Sequence, residues 1–119
     1  MKTSATALLV ALFVLVAAPV SGSAATSATT HVRVIMGKPG TFEFVLSKKR
    51  VPKGTVSFTL VNKGQIAHDF AIHGKVSKMI QPGRTGSLSV KFGKAGRYPY
   101  KCTVPGHAAA GMKGVLKVT

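Results

Sequence analysis

Between Cys102 and Met112 the chain reads Cys-Thr-Val-Pro-Gly-His-Ala-Ala-Ala-Gly-Met, and no other stretch limits its folding choices so tightly. Three side chains with soft or borderline donor atoms, Cys102, His107 and Met112, follow one another at five-residue intervals. That interval matches neither the 3.6-residue period of a helix nor the two-residue period of a strand. Pro105 and Gly106 in addition break any helical pattern. The donors therefore belong on a loop that leaves one strand and enters the next.

The N-terminus reads as an export signal spanning residues 1–25. Lys2 is a minimal positive start, residues 5–20 are uncharged and largely apolar, and Ser21-Gly-Ser-Ala-Ala25 offers the small residues of a cleavage site. The apolar run is shorter than the about 20 residues of a membrane span, so no stable membrane insertion is expected after cleavage. Residues 26–39 are expected to be a flexible leader and the start of the first strand, with one domain over residues 40–119. The expected location is periplasmic or secreted. In such an oxidising compartment a lone cysteine is informative, because structural cysteines there come in pairs. Cys102 is the only one, and with His107 and Met112 following it the reading is a metal thiolate.

The rest of the sequence reads as strands. Val56-Ser-Phe58-Thr-Leu60 and Leu88-Ser-Val90-Lys-Phe92 alternate apolar and polar residues. Residues 31–36, 42–46, 68–73, 97–102 and 112–119 are further candidates, with a weaker one at 76–80. Turn signals such as Lys38-Pro-Gly40, Pro52-Lys-Gly54, Gln81-Pro-Gly83 and Gly93-Lys-Ala-Gly96 separate them. Seven to eight short strands without an amphipathic helix predict an antiparallel sandwich or barrel. Strand parity then aligns the donors. His68 shares a face with Phe70 and Ile72, Cys102 with Tyr98 and Tyr100, and Met112 with Leu116 and Val118. All four are expected to point toward one end of the core. One thiolate, two imidazoles and a weak thioether form the donor set of a blue-copper electron-transfer site, so His68, Cys102, His107 and Met112 are the expected ligands of one copper ion.

At this point the sequence resembles a known family. Tyr98-Pro-Tyr-Lys-Cys-Thr-Val-Pro-Gly-His-Ala-Ala-Ala-Gly-Met-Lys-Gly-Val-Leu-Lys-Val is similar to the C-terminal hairpin of the small blue copper proteins, the cupredoxins. Phe58-Thr-Leu-Val-Asn-Lys-Gly-Gln-Ile-Ala-His68-Asp-Phe resembles the segment that brings in their first histidine ligand. Four residues between Cys and His, and four between His and Met, resemble the rusticyanin and auracyanin branch. The likeness implies an all-β Greek-key β-sandwich holding one copper, with Met112 as the axial ligand. It departs from the family at Asp69, where many relatives carry Asn. A carboxylate there can accept bonds from Thr103 but has no side-chain N–H to donate.

Function follows from that donor set. The expectation is an exported carrier of single electrons through a Cu(I)/Cu(II) couple. The alternative is an extracytoplasmic copper-binding protein for delivery or buffering. Two acidic residues furnish no catalytic carboxylate set, one Cys excludes a two-thiolate binuclear centre, and no His-x-His pair is present, so no enzyme is expected. The chain has 17 Lys+Arg against 2 Asp+Glu, a formal net charge of +15. These cations are spread along the sequence without a nucleic-acid motif. The expected partners are therefore acidic redox proteins, met transiently by a monomer, and not nucleic acid.

Overall fold

The computed structural model describes residue 3, residues 11–17 and residues 28–119. The expected export signal lies mostly outside the described residues. Among those described, no helix is long and apolar enough to cross a membrane.

Nine strands form: β1 (Thr30–Met36), β2 (Phe44–Leu46), β3 (Arg50–Val51), β4 (Gly54–Asn62), β5 (Ala71–Ile72), β6 (Lys75–Val76), β7 (Thr85–Phe92), β8 (Gly96–Lys101) and β9 (Lys113–Val118). They make a four-stranded sheet in the order β2-β1-β4-β7 and a five-stranded sheet in the order β3-β9-β8-β5-β6. Alternation explains why they pack. In β4, Val56, Phe58 and Leu60 are buried while Thr55, Ser57 and Thr59 are only half-buried. Val32, Val34 and Met36 of β1, Phe92 of β7, and Leu116 and Val118 of β9 fill the space between the sheets. Burial of these side chains is the dominant stabilising term, at about 25 cal/mol per Å² of apolar surface. Phe58, Phe70 and Tyr100 meet at the centre, with Phe70 5.1 Å from Phe58 and 5.3 Å from Tyr100 between ring centroids.

Three expectations need correction. The sheets are mixed rather than antiparallel, because β1 runs parallel to β4 and β3 parallel to β9. Alternation reports which face is buried but carries no information about partner direction. There are also nine strands among the described residues rather than seven to eight. The added β3 is a two-residue segment, too short to show a period. The segment 68–73 is strand only at Ala71–Ile72, and His68 instead forms an isolated bridge with Ile80.

The topology gives the sandwich two distinct poles. At one, β1 ends at Met36, β4 ends at Asn62, and the loop from Cys102 to Met112 joins β8 to β9. At the other, Gly54 pairs with Phe92 and Gly96 with Val118.

Candidate metal centre

His68, Cys102 and His107 converge at the first pole, and their ligand atoms all lie within 4.8 Å of one another. The two histidines face each other through Nδ1, 3.2 Å apart. Cys102 Sγ lies 3.6 Å from His107 Nδ1 and 4.0 Å from His68 Nδ1. Three donors spread around one ion, at bond lengths of about 2.0 Å to nitrogen and 2.3 Å to sulfur, are separated by roughly 3.5 to 3.7 Å. The observed triangle matches that size, so the three residues fit one transition-metal ion without backbone movement. One thiol and two imidazoles are the trigonal donors that copper takes.

Local hydrogen bonds set each donor. Cys102 N–H donates to Met112 O at 3.0 Å, which closes the loop. Inside it, His107 N–H donates to Val104 O, and Met112 N–H donates to His107 O, each at 3.0 Å. Gly106 turns the chain with φ of +83°, a conformation that a side chain would strain. Met112 is completely buried, with its backbone tied to both Cys102 and His107. His68 is held by reciprocal bonds to Ile80, 3.1 Å from its N–H and 2.7 Å to its carbonyl. Its Nε2 is buried without a partner and sits beside Gly37, at the point where Gly37 and Gly64 bring two loops into backbone contact.

Burial leaves this site poor in charge. It lowers the His68 pKa from the usual 6.5, helped by the neighbouring His107 and opposed by Asp69. It raises the Cys102 thiol, while the backbone amides of Asp69 and Val104 pull it partly back. The metal-free site thus favours a neutral imidazole and a protonated thiol. A bound cation reverses the thiol's preference, because a coordinating thiol loses its proton outright.

The residues around the donors complete the geometry. Asp69 is buried, and its carboxylate accepts the Thr103 N–H at 2.6 Å and the Thr103 hydroxyl. It therefore straps the His68 segment to the residue after Cys102, an outer contact of the kind that orients ligands. Two contributors escaped the sequence reading. Asn62 is fully buried, and its amide donates to Ile66 O and Ile80 O, both at 2.8 Å, and accepts the Gly64 N–H at 2.9 Å. It thereby fixes both segments that flank His68. A polar residue on the apolar face at the end of β4 was the available signal. Phe42 packs edge-on against His107 with centroids 4.9 Å apart. Its position gave no sign of this, because 65 positions separate the two residues along the chain.

A family model described as a cupredoxin-like domain matches residues 5–118, and the chain belongs to the cupredoxin family. It is 49% identical over 41 residues to auracyanin-B of Chloroflexus aurantiacus, a stretch covering 34% of this chain and 17% of that protein. It is 30% identical over 116 residues to the copper-resistant cuproprotein CopI of Rubrivivax gelatinosus, covering 79% of this chain and 69% of that one. Reduced rusticyanin superposes with a TM-score of 0.59 at 28% identity, covering 76% of this chain and 79% of rusticyanin. Fold, donor set and likeness together define a blue copper protein near the rusticyanin and auracyanin branch, with a site for a single copper ion.

Proposed function

We propose that the protein carries single electrons between redox partners outside the cytoplasm, with His68, Cys102 and His107 as strong ligands and Met112 as the axial one. When bound, copper supplies a one-electron Cu(I)/Cu(II) couple. The surrounding residues hold the donors in one arrangement for both states. Asn62 fixes the two flanks of His68 and Asp69 straps that segment to the Cys102 loop, so little has to move as the charge changes.

The observation that carries this reading is the unequal exposure of the donors. His68 and Cys102 are buried, whereas His107 is half-buried at the surface. Pro105, Gly106, Ala109 and Ala110 lie exposed around it, and Ile66 on the neighbouring loop is 39% exposed. An exposed patch of these uncharged residues around one ligand ring suits brief redox encounters, which use small interfaces. Export is supported by Lys2, the apolar run and the small residues up to Ala25.

The likeness to a copper-resistant cuproprotein favours a second reading, in which the protein buffers or delivers copper. Repeated reduction and reoxidation in the presence of a Cu(I) chelator separates the two. A carrier keeps its copper and its visible absorption over many cycles. Transfer of the metal to the chelator on the first reduction would establish delivery instead.

A further inference from the structure

We infer that the pole opposite the metal centre is a docking surface for an anionic lipid bilayer, holding the protein with His107 directed away from the membrane. The inference rests on where the strands collect charge. Arg50 and Arg97 both stand in register with Lys117, one on each side, so three cations form a row across β3, β9 and β8. Lys49 joins this row, since its carbonyl accepts the Lys117 N–H at 3.0 Å. Lys53 N–H donates to Thr119 O, and Lys94 O accepts the Tyr98 hydroxyl, which puts both residues at the same pole. All six side chains are exposed. Like charges directly opposite one another across strands are destabilising.

No acidic side chain among the described residues offsets them at this pole. Its only acids are Glu43 and Asp69. Glu43 lies at the metal pole, where its carbonyl accepts the Gly37 N–H, and Asp69 is tied to Thr103. The outer face of the four-stranded sheet provides a contrast, since Ser57, Thr59, Ser87 and Ser89 fill its centre beside one cation, Arg33. The six cations of the opposite pole are therefore more closely grouped than Arg33 on this face, although further cations, among them Lys38, Lys63, Lys78 and Arg84, lie elsewhere.

Two features select a bilayer over an acidic protein. An electron-transfer partner must reach His107, yet β9 alone separates the poles by roughly 20 Å at 3.3 Å per residue. Cations so placed would draw such a partner to the wrong end. The chain also enters the fold at the cationic pole, where Thr30 pairs with Val56. Nine residues separate the apolar run ending at Val20 from Thr30, a reach of at most about 36 Å. During export this pole is thus the part of the fold tethered nearest the membrane.

The test compares two quadruple variants of the copper-loaded exported protein. Lys49→Gln/Arg50→Gln/Lys53→Gln/Lys117→Gln acts at the cationic pole, and Lys38→Gln/Lys63→Gln/Lys78→Gln/Arg84→Gln removes the same charge elsewhere. Co-sedimentation with vesicles of phosphatidylcholine alone, or mixed with phosphatidylglycerol, measures binding. The native protein should bind only the anionic vesicles and be released by 0.5 M salt, about three times physiological strength. The first variant should lose roughly 100-fold or more in partitioning, and the second about 10-fold or less, each cation near such a surface being worth several-fold. Visible spectra should be unchanged in both, which excludes misfolding. Bound protein should still exchange electrons with a small soluble oxidant at the free rate. Equal binding to neutral vesicles, equal losses in the two variants, no binding, or occlusion of the copper on binding would each overturn the proposal.

Discussion

The two poles of this sandwich are stabilised in different ways. Among the described residues the buried polar side chains are Asn62, His68 and Asp69, and all three lie at the metal pole. There the loops are tied to each other by side-chain hydrogen bonds and by the backbone bonds of the Cys102–Met112 turn. At the opposite pole the elements close mainly through backbone pairing, as between Lys53 and Thr119 or Thr119 and Val51, with the Tyr98 and Thr119 hydroxyls donating to Lys94 O and Val51 O from outside the core. The contrast reflects two tasks. Hydrophobic burial is non-directional and suffices to close strands over a core. Fixing three donor atoms within a few tenths of an ångström takes directional bonds whose partners are buried, so the polar groups gather where ligand geometry has to be precise.

The largest test of that contrast removes a donor. Cys102→Ser should abolish the intense visible absorption of the copper-loaded protein, since the colour arises from thiolate-to-Cu(II) charge transfer. An unchanged spectrum would dismiss this type of site. Next in size is Asn62→Ala, which removes its three bonds to Ile66 O, Ile80 O and the Gly64 N–H, leaving Ile80 O only the His68 N–H. At about 1 kcal/mol for each lost bond the metal-free protein should lose roughly 3 kcal/mol in denaturant unfolding. Conversely, Lys53→Gln at the opposite pole should change stability by less than about 0.5 kcal/mol. Comparable losses at the two poles would erase the distinction.

Acid should separate the poles as well. The folded-state pKa of His68 lies below its unfolded value near 6.5, so the unfolded chain binds the extra proton first. The stabilisation is present in full above pH 6.5 and is lost as the pH falls through the folded pKa. Thermal melts of the metal-free protein should therefore drop between pH 7 and 5. His68→Gln should flatten that slope, and a slope unaltered in this variant would assign the acid response to other groups. The subtlest change is Met112→Leu. Copper should be retained while the reduction potential rises, because a weak axial donor tunes the couple more than it holds the ion. Loss of the metal, or a potential that does not move, would deny Met112 the axial role.

The donor loop and the inward parity of His68, Cys102 and Met112 were readable from the chain, because both depend on local spacing. The alternation of β4 and β7 was readable for the same reason. Even the departure at Asp69 was visible as a possible strap to Thr103, although parity alone would have put it on the polar face rather than in the buried position it takes. What the sequence by itself determined is thus the list of donors, the faces of the strands and the chemistry they imply. Only the tertiary structure decided that β1 lies parallel to β4, that Asn62 clamps both flanks of His68, and that Phe42 walls His107. It also decided that cations spaced widely along the chain, such as Arg50, Arg97 and Lys117, stand side by side. The physical reason is that spacing records which way a side chain points, whereas neighbours across a sheet are set by register and strand order, which long-range burial selects.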